Sequence, residues 1–303
     1  MSKSNPVVDR ARILLSRGAR GRGLPSQLPR QLPHVPSGSP AIDLLISGGD
    51  AEWVDTHPPC PGFPRRRITE VTGGESSGKT TLCLRAAASV QRAGGSVLYV
   101  SYGVPLDLSY AEKIGVTLDP TFKLVAPDST EDGFRAMFAG IAAGASLVIN
   151  DSISLAVPER TRDQSLTTHD PFAATSTLSH LLPKVCEWLG KYPTTGSGAA
   201  RKTDTGHPGT ALLVTTNDPH GCKALKFYTT LRLQVTVTSV DPNPRTYDVR
   251  LVKSKITGHQ GCEIRMAADG SAILEHDQMP PLGDTSDNPV SADELDAMFE
   301  GTS

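Results

Sequence analysis

The sequence predicts an α/β fold: a central, mostly parallel twisted sheet flanked by helices, with antiparallel strands at its C-terminal edge. Three observations lead there. Short strand and helix signals alternate from residue 68 to residue 216, the pattern of a parallel sheet covered by helices. The stretch Gly73-Gly74-Glu75-Ser76-Ser77-Gly78-Lys79-Thr80 fits G-x-x-x-x-G-K-[ST] between an apolar run and a helical run. Residues 230–238, 245–253 and 262–266 alternate polar and apolar side chains, as antiparallel strands with one covered face do.

Taken in order, Val7 to Leu15 opens a short amphipathic helix over 7–17, followed by a Gly/Pro/Arg-rich linker through Pro36. A helix this short is marginal alone and is expected to dock on its own core or on a neighbouring subunit. Ile68-Thr69-Glu70-Val71-Thr72 reads as a buried strand, and the run from Thr81 to Ala88 as the start of a helix. Strands follow at 96–100 and 122–126 with a helix between them. The next helix opens at Ser129, with Asp132 three residues on, and places Phe134, Met137, Phe138 and Ile141 on one buried face. Leu147-Val148-Ile149-Asn150-Asp151 is an apolar strand ending in a carboxylate, where an α/β sheet exposes residues to its ligand. Residues 192–209 are polar and Gly-rich and read as a flexible loop, and 210–216 as another buried strand. The organisation expected is therefore an N-terminal helix and basic linker (1–36), a core (37–275) and an acidic, flexible tail (276–303).

The loop at Gly73–Thr81 carries the chemistry. A strand delivers backbone N–H groups to phosphates there, the glycines let the backbone curl, and the following helix offers its unpaired N-terminal N–H groups. Lys79 is placed to reach the β- and γ-phosphates and Thr80 to face Mg²⁺, which makes the chain a nucleotide binder.

With 303 residues and 38% hydrophobic content the chain suits one main domain with appendages. No apolar run approaches bilayer length and the start has no signal-peptide pattern, so a cytoplasmic protein without a membrane partner is expected. Cys60, Cys83, Cys186, Cys222 and Cys262 are scattered and never in C-x-x-C spacing, which suggests neither disulfides nor zinc. The net charge of −2 hides an asymmetry. Arg10, Arg12, Arg17, Arg20, Arg22, Arg30 and Arg65-Arg66-Arg67 make the first third basic, whereas the chain after Ala268 holds Asp and Glu but no Lys or Arg. A basic arm and an acidic tail suit a nucleic-acid protein. The tail also offers Leu295, Met298 and Phe299 on one helical face to a protein partner.

Several islands in one order resemble the RecA family of bacterial strand-exchange recombinases, from about Ser37 to about Leu274. Gly74-Glu75-Ser76-Ser77-Gly78-Lys79-Thr80-Thr81 is nearly that family's form of the loop. Leu147 to Ser152 resembles its Walker B strand, Ala224-Leu225-Lys226-Phe227-Tyr228 with Leu231-Arg232-Leu233 the stretch after its second DNA-binding loop, and Val252-Lys253-Ser254-Lys255-Ile256 its two-lysine strand. The resemblance implies a RecA-like P-loop core binding ATP and Mg²⁺, self-association into filaments, and single-stranded DNA as partner in repair and recombination. It also implies that Asp151 orders the metal's water shell, that Asp107 and Tyr110 flank the adenine, and that Lys226, Phe227, Arg232, Lys253 and Lys255 serve interface or γ-phosphate contacts. Arg160 and Arg162 fall in the first DNA-binding loop, and Arg201 and Lys202 offer a substitute for the second.

Two departures bear on mechanism. The family's general-base glutamate aligns with Gly103, and its γ-phosphate-sensing glutamine with Asp218, after which most of the second DNA-binding loop is missing. Without a residue to orient water, hydrolysis falls while binding persists. The expectation is thus an ATP-binding paralogue with weak turnover that binds DNA or modulates filaments. The alternative is an active DNA-dependent ATPase recombinase with a relocated base, for which Glu75 and Glu70 are the candidates.

Overall fold

The computed structural model describes residues 32–47, 60–162, 173–191, 208–217, 223–237, 245–256, 263–268 and 273–275. The helix expected over 7–17, the polar loop up to residue 207 with Arg201 and Lys202, Asp218 and the acidic tail lie outside them.

A two-stranded pair, β1 (His34–Val35) with β2 (Phe63–Pro64), stands apart from the main sheet, and α1 (Pro40–Ser47) lies between its strands in sequence. The main sheet begins with β3 (Ile68–Gly73), followed by α2 (Lys79–Arg92), β4 (Val97–Ser101), α3 (Leu108–Ile114), β5 (Phe122–Val125), α4 (Thr130–Ala143) and β6 (Leu147–Asp151). After a single 3₁₀ turn at Ile153–Leu155 come α5 (Glu159–Arg162), α6 (Ala173–Lys191), β7 (Ala211–Thr216), α7 (Lys223–Tyr228), β8 (Thr229–Val237), β9 (Arg245–Ser254), β10 (Glu263–Ala268) and β11 (Ile273–Glu275).

The order across the nine strands is β11-β10-β9-β8-β3-β7-β6-β4-β5. From β5 through β8 every pairing is parallel, and β9, β10 and β11 then add in antiparallel fashion. The α/β architecture expected from the alternating signals, including the antiparallel edge, is the one observed.

Local signals account for the boundaries. Ser129 caps α4, its Oγ accepting from the Asp132 N–H at 3.1 Å, and Gly144 ends that helix in the left-handed conformation. Phe134, Met137 and Ile141 are buried, while Phe138 is half-buried and rests on Trp188 with ring centroids 4.9 Å apart.

Side-chain parity sorts the core into two layers, as period-two strands require. Tyr99, Leu147, Ile149, Leu213, Leu231 and Leu233 pack with α1 and α2 on one face, and Leu98, Val100, Val148, Leu212 and Val214 pack with α4 and α6 on the other. Parity also decides the fate of two charged residues. Glu70 and Arg232 project to the α4/α6 face from neighbouring strands, opposite Val71, Leu231 and Leu233. The Glu70 carboxylate is fully buried, accepts from Thr216 Oγ1 at 3.0 Å, and has Arg232 Nε 3.2 Å from Oε2. That last contact is an ion pair without hydrogen-bond alignment.

Arg65, one of the basic residues of the first third, is drawn into the fold. It is half-buried and donates to the carbonyls of His34 (3.0 Å), Gly209 (2.7 Å) and Ser146 (3.3 Å), tying the N-terminal ends of several strands together.

Burial raises the Glu70 carboxyl above its ordinary value of 4.5, with Arg232 and the Thr216 hydroxyl pulling the other way. A carboxyl whose value is higher folded than unfolded contributes stability that is present in full below the unfolded value and is lost as pH rises through the folded one. The unfolding free energy of the unsubstituted protein relative to Glu70→Gln is therefore expected to fall as pH rises above the ordinary carboxyl value of 4.5 in urea titrations. A difference that stays flat or grows over that range contradicts the burial-dominated balance.

Candidate nucleotide-binding site

Because β3, β4, β6 and β7 run parallel, their C-terminal ends deliver Gly73, Ser101, Asp151 and Thr216 to one edge of the sheet. The loop Gly73–Thr81 leaves β3 there and enters α2. Gly78, at φ 88°, is the left-handed residue before Lys79, and no side chain caps the N–H groups of the first turn of α2. These donors are the ones an anion takes at a helix N-terminus. Gly73 is required by its surroundings: a Cβ there would stand 2.2 Å from the Val235 carbonyl oxygen and 2.6 Å from Ser77 Oγ, whereas at Gly74 it would meet nothing within 4 Å.

Lys79 is buried, and its ammonium donates to the Gly73 and Gly74 carbonyls at 3.1 and 2.6 Å and lies 3.5 Å from Ser77 Oγ. Burial pulls its proton affinity below the ordinary lysine value, and the Asp151 charge opposes that. A buried cation surrounded by loop oxygens is a good fit for a polyphosphate, which supplies full negative charge where carbonyls supply only dipoles.

Asp151 accepts from Thr80 Oγ1 at 2.8 Å, Tyr99 OH at 2.5 Å and Thr215 Oγ1 at 2.5 Å. Parity explains the gathering, since Tyr99, Asp151 and Thr215 all project toward α2, as Ile149 and Leu213 do. Burial first, and the Asp151 charge second, push the Tyr99 phenol well above its ordinary value, so it stays a donor. A threonine hydroxyl beside a carboxylate is an all-oxygen pair of the kind that suits Mg²⁺, which Thr80 and Asp151 would hold. The residues present fit both groups.

Asp107 caps α3, accepting from Ser109 Oγ at 2.7 Å and the Tyr110 N–H at 3.1 Å. The Ser109 hydroxyl, then the Tyr110 N–H, hold its carboxyl below the usual range. Tyr110 lies beside the loop, its OH 2.7 Å from Thr81 Oγ1. An open cleft of about 240 Å³ is lined by Ser76 through Thr81 with Tyr110 and Tyr247.

Gly103 lies two residues beyond the end of β4, at φ 74°. The backbone N–H of its neighbour Tyr102 donates to the Asp151 carbonyl at 2.9 Å, and a Cβ on Gly103 would lie 3.3 Å from Leu155 Cδ1. Of the two alternative bases, Glu75 is exposed on the loop and Glu70 projects to the opposite face of the sheet, engaged with Arg232 and Thr216. That removes Glu70 from the edge where a water would be oriented.

The remaining residues lie apart from the loop. Lys253 donates to the Lys226 carbonyl and Lys255 Nζ to the Phe227 carbonyl at 3.1 Å, so both ammonium groups cap the C-terminal turn of α7. Burial, then the like charge of Lys255, lowers the Lys253 ammonium's proton affinity. Phe227 between them is 78% exposed, whereas Arg232 is buried with Glu70. Arg160 and Arg162 sit on the single turn α5. Sequence reasoning missed Tyr99, Thr215 and Tyr247. The first two were findable, since they share a strand parity with the residues around Asp151; nothing local marks Tyr247.

Strand, loop and helix with these side chains make a candidate nucleotide site on an α/β fold. The family model for the RecA N-terminal domain matches residues 37–261. Protein RecA of Limosilactobacillus reuteri is 35% identical over 243 residues, covering 76% of this chain and 61% of that protein. Protein RecA of Enterococcus gallinarum is 34% identical over 219 residues, covering 70% and 57%. The chain belongs to the RecA family. It spans less than two thirds of the length of these relatives.

Gly73→Ala is expected to destabilise the protein by about 2 kcal/mol, because the new methyl must push β8 away. Gly74→Ala should leave the urea midpoint close to that of the unsubstituted chain. Equal midpoints for the two variants would show that β8 yields at no cost.

Proposed function

We propose that this chain is an ATP-binding protein of DNA repair and homologous recombination that engages single-stranded DNA, forms or modulates recombinase filaments, and turns ATP over slowly. Family membership supports the recombination setting, and the loop from Gly73 to Thr81 supports ATP with Mg²⁺. The observation that carries the slow turnover is Gly103, a residue without a side chain at the edge where a water-orienting group is needed.

The chain's own groups divide the work. N–H groups of the loop and of the first turn of α2 bind phosphate oxygens, and Lys79 turns from the Gly73 and Gly74 carbonyls toward the β- and γ-phosphates. Thr80 and Asp151 hold Mg²⁺, which when bound neutralises charge developing on the phosphates. Asp107 and Tyr110 border the nucleoside. Hydrolysis further requires an acceptor for the proton of the attacking water, and Gly103 offers none. Arg160 and Arg162, exposed on a turn beyond the 3₁₀ segment, are placed for a DNA backbone. Phe227 and the lysines beside it supply the surface for self-association.

ATP binding and hydrolysis, each with and without single-stranded DNA, test this reading, with Lys79→Ala as control. The expected result is Mg²⁺-dependent ATP binding that Lys79→Ala abolishes, with turnover that DNA scarcely stimulates. Strong DNA-stimulated turnover that disappears in Lys79→Ala overturns the slow-turnover reading and directs attention to Glu75→Ala.

Gly103→Glu provides the converse test. The substitution adds a carboxylate just after β4, at the cost of about 1 kcal/mol for a side chain at positive φ and of a Cβ 3.3 Å from Leu155 Cδ1, which has to give way. ATP turnover is expected to rise about tenfold or more over the unsubstituted chain, within the range general-base catalysis supplies. Unchanged turnover with intact ATP binding means that the missing carboxylate is not what limits hydrolysis.

A further inference from the structure

The hydroxyls that meet on Asp151 come from two kinds of place. Thr80 is half-buried, lines the open cleft, and donates to Oδ2 at 2.8 Å. Tyr99 donates to the same oxygen at 2.5 Å and Thr215 to Oδ1 at 2.5 Å, and both of these residues are fully buried. They belong to β4 and β7, the strands that pair with β6 on either side.

Packing calls for neither buried hydroxyl. Tyr99 sits in the apolar layer with Leu147, Ile149 and Leu213, its ring centroid 6.1 Å from that of Phe122, and a phenylalanine ring would fill the same space. Thr215 continues the parity of Leu213, where valine has the same shape. Ser101, which stands in register with Asp151 on β4, turns its hydroxyl to the Val104 carbonyl at 2.9 Å instead. A buried hydroxyl is costly unless it finds an acceptor, and for Tyr99 and Thr215 the acceptor is the carboxylate that suits a cation. A carboxylate offers about four lone-pair positions. Oδ2 accepts from Thr80 and Tyr99, and Oδ1 from Thr215, so most of that capacity is filled by the protein itself. Each position so filled is one fewer for Mg²⁺ or for its waters.

We propose that Tyr99 and Thr215 are positioning residues that set the metal affinity of the site, stabilising the metal-free Asp151 carboxylate and thereby weakening its hold on Mg²⁺. The proposal rests on the reading of Thr80 and Asp151 as the pair that holds Mg²⁺ beside a bound nucleotide. Removing either buried hydroxyl leaves two donors on Asp151, so the carboxylate stays held while a lone pair becomes free for the metal.

Calorimetric titration of the full chain with ATP, once in EDTA and once in saturating Mg²⁺, tests this with Tyr99→Phe and Thr215→Val. The ratio of the two ATP affinities measures the coupling between metal and nucleotide. Binding of Mg²⁺ to ATP in solution is common to all variants and cancels when their ratios are compared. A variant harmed only in its packing shifts both affinities together and leaves the ratio where it was. Each substitution is expected to raise the ratio about fivefold, the order of one hydrogen bond, while lowering the urea midpoint of the metal-free protein. An unchanged ratio overturns the proposal. A smaller ratio overturns it too, since the hydroxyls would then serve to orient Asp151 for the metal rather than to compete with it. Equal ATP affinities with and without Mg²⁺ in the unsubstituted chain remove the Mg²⁺ reading, and the proposal with it. If one of the two variants does not fold, the other decides, because each removes one buried donor from the same carboxylate.

Discussion

One carboxylate organises the site edge of this protein. Asp151 accepts hydroxyls from the first turn of α2, from β4 and from β7, and its own backbone carbonyl accepts the N–H of Tyr102. Each of these donors belongs to a different element, so the relative placement of the loop helix and of three strands is read out at a single side chain. A carboxylate with three hydroxyl donors is well solvated by the protein itself, which is how a charge can sit beside the buried Tyr99 and Cys83. The same hydroxyls hold it in one orientation.

The sheet then separates two kinds of charge. On the α2 face, Lys79, Thr80 and Asp151 form a polar edge open to solvent through the cleft. On the opposite face, Glu70 and Arg232 are closed in, with Lys253 sharing the register of Arg232. Replacing one member of such a buried pair strands the other, while the intact pair is close to neutral for stability. What the pair does specify is register: a slip of β3 against β8 by one residue would move Glu70 to the α2 face and leave Arg232 without its counter-charge.

Much of this was legible in the sequence, for physical reasons that can be named. The strand–glycine loop–helix order is a local signal, as is the Ser129 cap with Asp132 three residues on, and both are found where expected. Asp151 was legible because a carboxylate ending an apolar strand has few structural reasons to be there. Glu70 was misread as a candidate base, because its face depends on pairing with β8, far away in the chain. The same long-range pairing hid Tyr247, which sits in an ordinary alternating strand and reaches the loop only because β9 adds to β8. Arg65 looked like surface charge until the carbonyls of His34, Ser146 and Gly209 converged on it. The short β1 and β2 pair carried no periodicity at all, having two residues each.

The place of β3 in the sheet also sets the order in which the molecule can assemble. Ile68 pairs with Leu212 on one side and with Thr229 on the other. On a ribosome, β3 and its loop emerge early and then wait, with both rows of backbone groups unpaired, while β4, β5 and β6 and their helices are made. Only the arrival of β7 and β8 closes the gap. The centre of the sheet is thus among the last parts to be completed, a high-contact-order step that folds slowly and exposes an apolar strand meanwhile. A nascent chain halted before β8 would carry every residue of the Gly73–Thr81 loop and still have no finished loop.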